Sequence, residues 1–189
     1  MDLAPLFSSP IDTLARALIG ATFTVRGCGG IIVETEAYGR ADPASHSVNG
    51  PTARNRAMFL GPGHVYVYLS YGLHHCINLV GQPGEAVLIR ALQPQIGLDA
   101  MVARRGPVPF HRLAAGPGNL ARALGIGLED NGLPLEPSFD LALPQSPVPV
   151  STGPRIGLTK ATDVLWRFGL SGSAFLSRPF PRARNNPEI

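Results

Sequence analysis

Two carboxylates lie two residues apart in the run Ile31-Ile-Val-Glu-Thr-Glu-Ala-Tyr38. In an extended strand alternate side chains share a face. Ile32, Glu34, Glu36 and Tyr38 then fall on one side, and Ile31, Val33, Thr35 and Ala37 form an apolar side suited to a core. Acids on an inner strand are costly unless they line a wet cleft or are paired with cations. The face therefore suits acid–base chemistry beside a phenol, or it is a solvated sheet face balanced by arginine. Arg90 poses the complementary problem, because it interrupts the apolar run Ala86-Val-Leu-Ile-Arg-Ala-Leu92. A guanidinium inside such a strand needs partners, as an internal ion pair or as part of a site. Asn78, in His-His-Cys-Ile-Asn-Leu-Val, poses a milder version.

Aromatic residues form a second group. In His64-Val-Tyr-Val-Tyr-Leu-Ser-Tyr71 the alternation puts Tyr66 and Tyr68 on one face, opposite Val65, Val67, Leu69 and Tyr71. Strand tyrosines commonly serve packing. Tyr71 differs because it directly precedes Gly72 at a hairpin tip, where an aromatic side chain could act as a wedge in a base stack. Arg54-Asn55-Arg56 and the helix start at Pro117 to Asn119 are candidate phosphate contacts. Glu34, Glu36, His46, His74 and His75 suggest a metal site only weakly. No H-E-x-x-H or C-x-x-C is present, and adjacent strand histidines point to opposite faces.

These residues must be held by a limited set of elements. Asp12 is expected to cap a helix bearing Leu14, Ala15, Leu18 and Ile19, with Gly20 as its stop. Strands are expected at 21–26 and 31–38 around a turn at Gly27 to Gly30, and at 64–71 and 74–80 around Gly72. A further strand is expected over 86–92, ended by Pro94. Helices are expected over 97–104 and over 117–124, the latter opened by Pro117 and closed by Gly125. Short strands are expected between 155 and 180. Sequential strands with few helices predict an α+β fold with an antiparallel or mixed sheet.

Composition narrows the setting. The 189 residues, 44% hydrophobic and 15% charged, suit one globular domain spanning 1–189. With 22 Gly and 19 Pro, loops must be plentiful, and the proline-rich stretch 134–154 reads as a wandering surface connection. Net charge is +3, but residues 86–128 carry five Arg against one Asp, while 129–150 carry four acids and no base. Residues 151–189 add five Arg and Lys160 against two acids. Two basic segments sharing a face would suit a polyanion. Arginine supplies fifteen of the sixteen basic residues, and it grips phosphate with a fork that lysine lacks. Cys28 and Cys76 make no disulfide framework. With no signal peptide or membrane span apparent, a cytoplasmic protein with no membrane partner is expected.

Several blocks in one order resemble the alkyladenine (3-methyladenine) DNA glycosylase family, as a bacterial member of the mammalian type. They are Val33-Glu-Thr-Glu-Ala-Tyr38, Ala44-Ser-His-Ser47, Arg54-Asn-Arg-Ala-Met-Phe59, Val65-Tyr-Val-Tyr-Leu-Ser-Tyr-Gly72, Cys76-Ile-Asn78, Leu88-Ile-Arg-Ala-Leu-Gln-Pro94 and Gly116-Pro-Gly-Asn-Leu120. The match runs, with gaps, from about residue 13 to 178. It implies a single compact mixed domain around a curved antiparallel β-sheet, with a protruding hairpin and no helix-hairpin-helix. It implies Glu36 as the base that activates water and Arg90 as a holder of that water. Tyr38, His46 and Tyr68 would enclose a flipped purine, and Asn78 would crowd out the guanine amine. Tyr71 would fill the gap in the duplex, with Gly72, Arg54 and Arg56 beside the DNA. The implied protein is a monomer acting on double-stranded DNA with damaged purines, without metal or organic cofactor. Residues 129–150 match poorly. The alternatives from the residues themselves are a metal-dependent nuclease using Glu34, Glu36 and His46, or a nucleic-acid-binding module without catalysis.

Overall fold

Strand formation follows the β-branched and aromatic runs. The computed structural model describes residues 3–181, so Arg182 and Arg184 of the basic C-terminal segment lie outside the described residues. Eight strands form one antiparallel sheet: β1 (Thr22–Val25), β2 (Cys28–Tyr38), β3 (Val65–Ser70), β4 (His74–Val80), β5 (Ala86–Ile96), β6 (Phe139–Ala142), β7 (Val150–Gly153) and β8 (Arg167–Leu170). The order is β3-β4-β5-β2-β1-β6, and β8 joins β2 to β7. Around the sheet lie short helices: α1 (Ala4–Phe7), α2 (Ile11–Ala17), α3 (Leu98–Arg105), α4 (Pro117–Leu124) and the kinked α5 (Leu135–Ser138). The result is the α+β fold expected, a compact domain around a curled antiparallel sheet.

The central strand is β2, and its neighbours change along its length. Its first half pairs with β1 and its second half with β8, while β5 runs along its other edge. Glu34, Thr35 and Glu36 therefore have a strand on both sides and are fully buried.

Two irregularities re-aim this strand. Ile32 pairs with Leu92 and Glu34 with Ala91, leaving Val33 extra, while Thr35 pairs with Ile89, leaving Arg90 extra on β5. Each is a bulge, and a bulge shifts the facing of the residues on either side of it. Strict alternation consequently fails for the first half of the run. Ile32, expected on the acid side, joins the main core, which does not include Val33. Beyond the bulge the pattern holds: the Thr35 hydroxyl donates to the Ala15 carbonyl of α2 at 2.8 Å, while Glu34, Glu36 and Tyr38 turn the other way.

Other departures have local causes. The first long helix starts after Pro10, and Asp12 sits within its first turn, accepting only from the neighbouring Thr13 N–H. It ends at Ala17, before Gly20. The first hairpin turns on Arg26 and Gly27 alone, so strand resumes at Cys28. Strand β5 passes through Pro94 to Ile96, because a third register shift there tolerates a residue without an N–H. Gly30 faces Pro94, and a Cβ on it would lie 2.0 Å from the Gln93 carbonyl oxygen. Helix α4 has the expected bounds, whereas α3 lies one residue later than expected. The proline-rich stretch is more than a surface connection. Within it β6 pairs with β1, carrying buried Phe139 onto Phe23 with ring centroids 5.8 Å apart. Between 155 and 180 there is one strand, β8, rather than several.

Candidate active site

The β3–β4 hairpin supplies the aromatic wall. Val65 and Val67 enter the core, which turns Tyr66 and Tyr68 to the opposite face as the alternation predicts. The two rings stack at 5.5 Å, and His46 meets Tyr68 edge-on at 4.6 Å. The Tyr66 hydroxyl lies 2.9 Å from His46 Nδ1, fixing the imidazole. Burial, helped by the charge of Arg54, lowers the pKa of His46, which favours the neutral ring. Asn55 supports the loop from below, donating to the His46 carbonyl at 2.7 Å.

These groups border a cavity of about 600 Å³ whose lining also includes Tyr38, Asn78, Arg90, Arg54, Tyr71 and Gly72. Asn78 is buried and donates to the Tyr66 carbonyl at 3.0 Å. Burial, reinforced by Glu36, raises the Tyr38 phenol far above its ordinary value, so its O–H persists and donates to Glu36 Oε2 at 2.9 Å. Burial likewise raises Tyr68, and it pushes Tyr66 up to about 12. A volume of this size matches a small-molecule site.

At the tip of the hairpin Tyr71 is 90% exposed, with φ +50, and Gly72 follows with φ +69. A left-handed conformation is cheap for glycine and costs a tyrosine roughly 1–3 kcal/mol. The ring is held in solvent, so packing does not account for that conformation. Leu73 beside it is 76% exposed. Arg54 lies at the rim, donating to the Leu69 carbonyl, whereas Arg56, exposed on a 3₁₀ turn, is not part of the lining.

Beneath the cavity lies a buried ionic cluster. Arg90 donates from Nε to Glu34 and from a terminal nitrogen to Glu36 Oε2, each at 3.1 Å. Arg167 donates to Glu34 at 2.8 Å, and Ser177 gives Glu34 both its N–H and its hydroxyl. Burial opposes the charge of Arg90, but Glu36 and Glu34 outweigh it and raise the pKa of the guanidinium. Two carboxylates thus face two guanidiniums, the balance a buried charge cluster requires. Glu36 lies behind the wall, its Oε1 accepting the Ile156 N–H at 2.7 Å. Glu34 and Glu36 are bound by arginines and not gathered with His46. Among the described residues no three His, Cys, Asp or Glu side chains are placed to hold a metal ion.

Several contributors carry no periodic signal. Arg155 and Ile156 belong to a loop between β7 and β8, and Gly-Pro-Arg-Ile-Gly has no pattern to read. The Arg155 side chain is buried, ion-paired to Asp42, bonded to the Ala37 carbonyl at 2.8 Å and placed over the Tyr38 ring at 4.7 Å. Arg155 thus braces the same tyrosine that contacts Glu36, while the next residue holds Glu36 itself. Arg167 did offer a clue, since Leu-Trp-Arg-Phe repeats the oddity of Arg90.

The site thus combines an aromatic-walled cavity, a buried carboxylate–arginine cluster beneath it and an exposed tyrosine at the hairpin tip. The chain belongs to the methylpurine-DNA glycosylase family, which matches residues 5–174; enzymes of this class hydrolyse the N-glycosidic bond in DNA. A protein of Nitrosospira multiformis named "Putative 3-methyladenine DNA glycosylase" is 56% identical over 178 residues, 92% of each chain. Proteins of the same name from Rhizobium meliloti and Agrobacterium fabrum are 55% and 56% identical, covering 92% and 88% of this chain and 98% and 87% of their own. Among the described residues no helix is long and apolar enough to cross a membrane.

Proposed function

We propose that this protein flips alkylated or deaminated purines such as 3-methyladenine, hypoxanthine and ethenoadenine out of duplex DNA and hydrolyses their N-glycosidic bond. It works as a monomer, with water and no metal or organic cofactor. A base within the duplex hides its glycosidic bond, so it must be extruded, at a cost of a few kcal/mol that is least for damaged bases. Stacking among Tyr38, His46 and Tyr68 returns ~1–3 kcal/mol per base, and Tyr71 occupies the vacated space. A neutral His46 spares a cationic alkylpurine from like-charge repulsion. Asn78 disfavours purines that carry an exocyclic amine at its position.

The observation that carries the chemistry is the hydrogen bonding of Glu36. A carboxylate offers about four acceptor sites, and Tyr38, Arg90 and Ile156 occupy three of them. The remaining one is on Oε1. There Glu36 takes a proton from water while the water oxygen attacks C1′. The C1′–N bond breaks, its electron pair leaves with the base, and the carboxylate offsets the positive charge that develops on the sugar. Arg90 holds the Glu36 carboxylate in position through its bond to Oε2. Lys160, the one lysine, is exposed and outside the cavity lining, so no side-chain amine is at hand for a Schiff base and the enzyme leaves the strand unbroken.

The test is incubation with duplexes bearing each lesion, in chelator and borohydride. Free base with an intact strand is expected. No free base would refute glycosylase action, loss of activity in chelator would favour the metal-dependent nuclease, and a trapped covalent adduct would refute monofunctional action.

A further inference from the structure

A second cavity, of about 520 Å³, adjoins the aromatic one, and Arg90 and Ile156 line both. Its remaining wall is strongly cationic: Arg105 ends α3, Arg112 lies on the 3₁₀ turn that follows, and Arg178 comes from the distant segment after β8. Gly116 and Asn119, at the start of α4, close one side. A helix start adds a modest positive field, but the arginines dominate.

Their ion pairing sets these three apart from the catalytic floor. Arg90 is matched by Glu34 and Glu36, and Arg167 by Glu34. Among the described residues no carboxylate lies within ion-pair distance of Arg105, Arg112 or Arg178. Arg105 is held in place by its Nε bond to the Leu113 carbonyl at 3.0 Å. Burial and the nearby charge of Arg122 both lower its pKa, as befits a guanidinium in a cationic setting with no anion beside it. Arg112 and Arg178 are exposed around it. Three guanidiniums converging without a counterion form a seat for a multiply accepting anion, and arginine forks suit phosphate.

Placement decides which anion. With the base in the first cavity and Glu36 acting at C1′ as proposed above, the sugar would lie beside Arg90 and Ile156, which both bond to Glu36, and a flanking phosphodiester would fall on the side of the second cavity that these two residues also line. We infer that this annex seats one backbone phosphodiester of the lesion strand, adjoining the flipped nucleotide, between Arg105, Arg112 and Arg178. The inference rests on the base-flipping reading above. The clamp does two things: it fixes the register of the extruded nucleotide, and it supplies affinity that is independent of the lesion.

The experiment places one charge-neutral methylphosphonate linkage at each position within two nucleotides of a hypoxanthine, on either strand. Binding by wild type, Arg112→Gln and Arg178→Gln is measured by anisotropy over a range of salt, with free base followed in parallel. One lesion-strand linkage should weaken wild-type binding roughly tenfold and have little effect in either variant. Each variant should lower the salt slope by about one. Arg16→Gln, outside both cavities, should leave the slope unchanged, and thermal melting verifies that all variants are folded. If no linkage couples to the arginines while wild type still releases base, the annex assignment is wrong and the glycosylase reading stands. If wild type neither prefers lesion DNA nor releases base, both fall. Coupling on the complementary strand, or competition by millimolar inorganic phosphate as strong as that of DNA, would also overturn the assignment.

Discussion

Replacing Glu36 by Gln separates chemistry from binding, and its neighbour Glu34 provides the contrast. Gln cannot take the water proton or offset the sugar's charge, and loss of a general base alone costs about 10²–10⁴-fold in rate. It also disturbs the floor. Its carbonyl can serve either Ile156 or the pair Arg90 and Tyr38, so in each orientation an amide donor faces another donor. One poorly satisfied buried group costs about 1–3 kcal/mol, and Arg90 retains Glu34 as a partner. For a chain of this size that lowers Tm by roughly 2–4 °C per kcal/mol. Glu34 takes four hydrogen bonds and is the one carboxylate paired with Arg167 among the described residues. Glu34→Gln strands that guanidinium, and breaking a buried pair costs about 3–5 kcal/mol. The two variants should therefore dissociate. Glu36→Gln should lose at least a hundredfold in single-turnover base release with a modest fall in Tm and near wild-type affinity for lesion DNA. Glu34→Gln should lose more stability and, assayed well below its Tm, less activity. Single-turnover excision, anisotropy and thermal melting decide the matter. Near wild-type release by Glu36→Gln, or an inactive Glu34→Gln of unchanged Tm, would falsify the assignment of the catalytic carboxylate.

Tyr71→Ala should weaken lesion binding and flipping several-fold with Tm unchanged, because the ring it removes is 90% exposed; unchanged affinity, or a collapsed Tm, counts against the wedge. Asn78→Ser should raise excision of guanine-derived bases relative to hypoxanthine, measured by competition on paired duplexes, and a constant ratio would end the gatekeeper idea. Arg155→Met should cost about 3–5 kcal/mol by leaving Asp42 buried without its partner. Adding Asp42→Asn should recover part of that loss, and simple additivity in denaturant melts would mean that the pair does not couple.

The placement of the candidate site residues was legible where local pattern carried it. Tyr66 and Tyr68 alternate with core valines. Tyr71 precedes the glycine that turns the hairpin. Arg90 stands out because a charge inside an apolar run is a physical anomaly. Pro117 and Gly125 bracket α4 because the first lacks an N–H where none is needed and the second adopts φ +70. The blocks resembling the glycosylase family pointed to the family, which strand period alone could not do. Composition had no means of revealing the bulges at Val33 and Arg90, since a bulge depends on the register of a strand fifty residues away. Those bulges put Ile32 into the core and leave Glu34 and Glu36 turned together toward Arg90. Burial of the acids, too, is a property of the sheet: β5 and β8 must close on both edges of β2. The brace of Arg155, the Ile156 N–H on Glu36 and the arginine-lined annex come from loops and distant segments. Nothing in their local sequence sets a period, so their meeting was decided by tertiary packing alone.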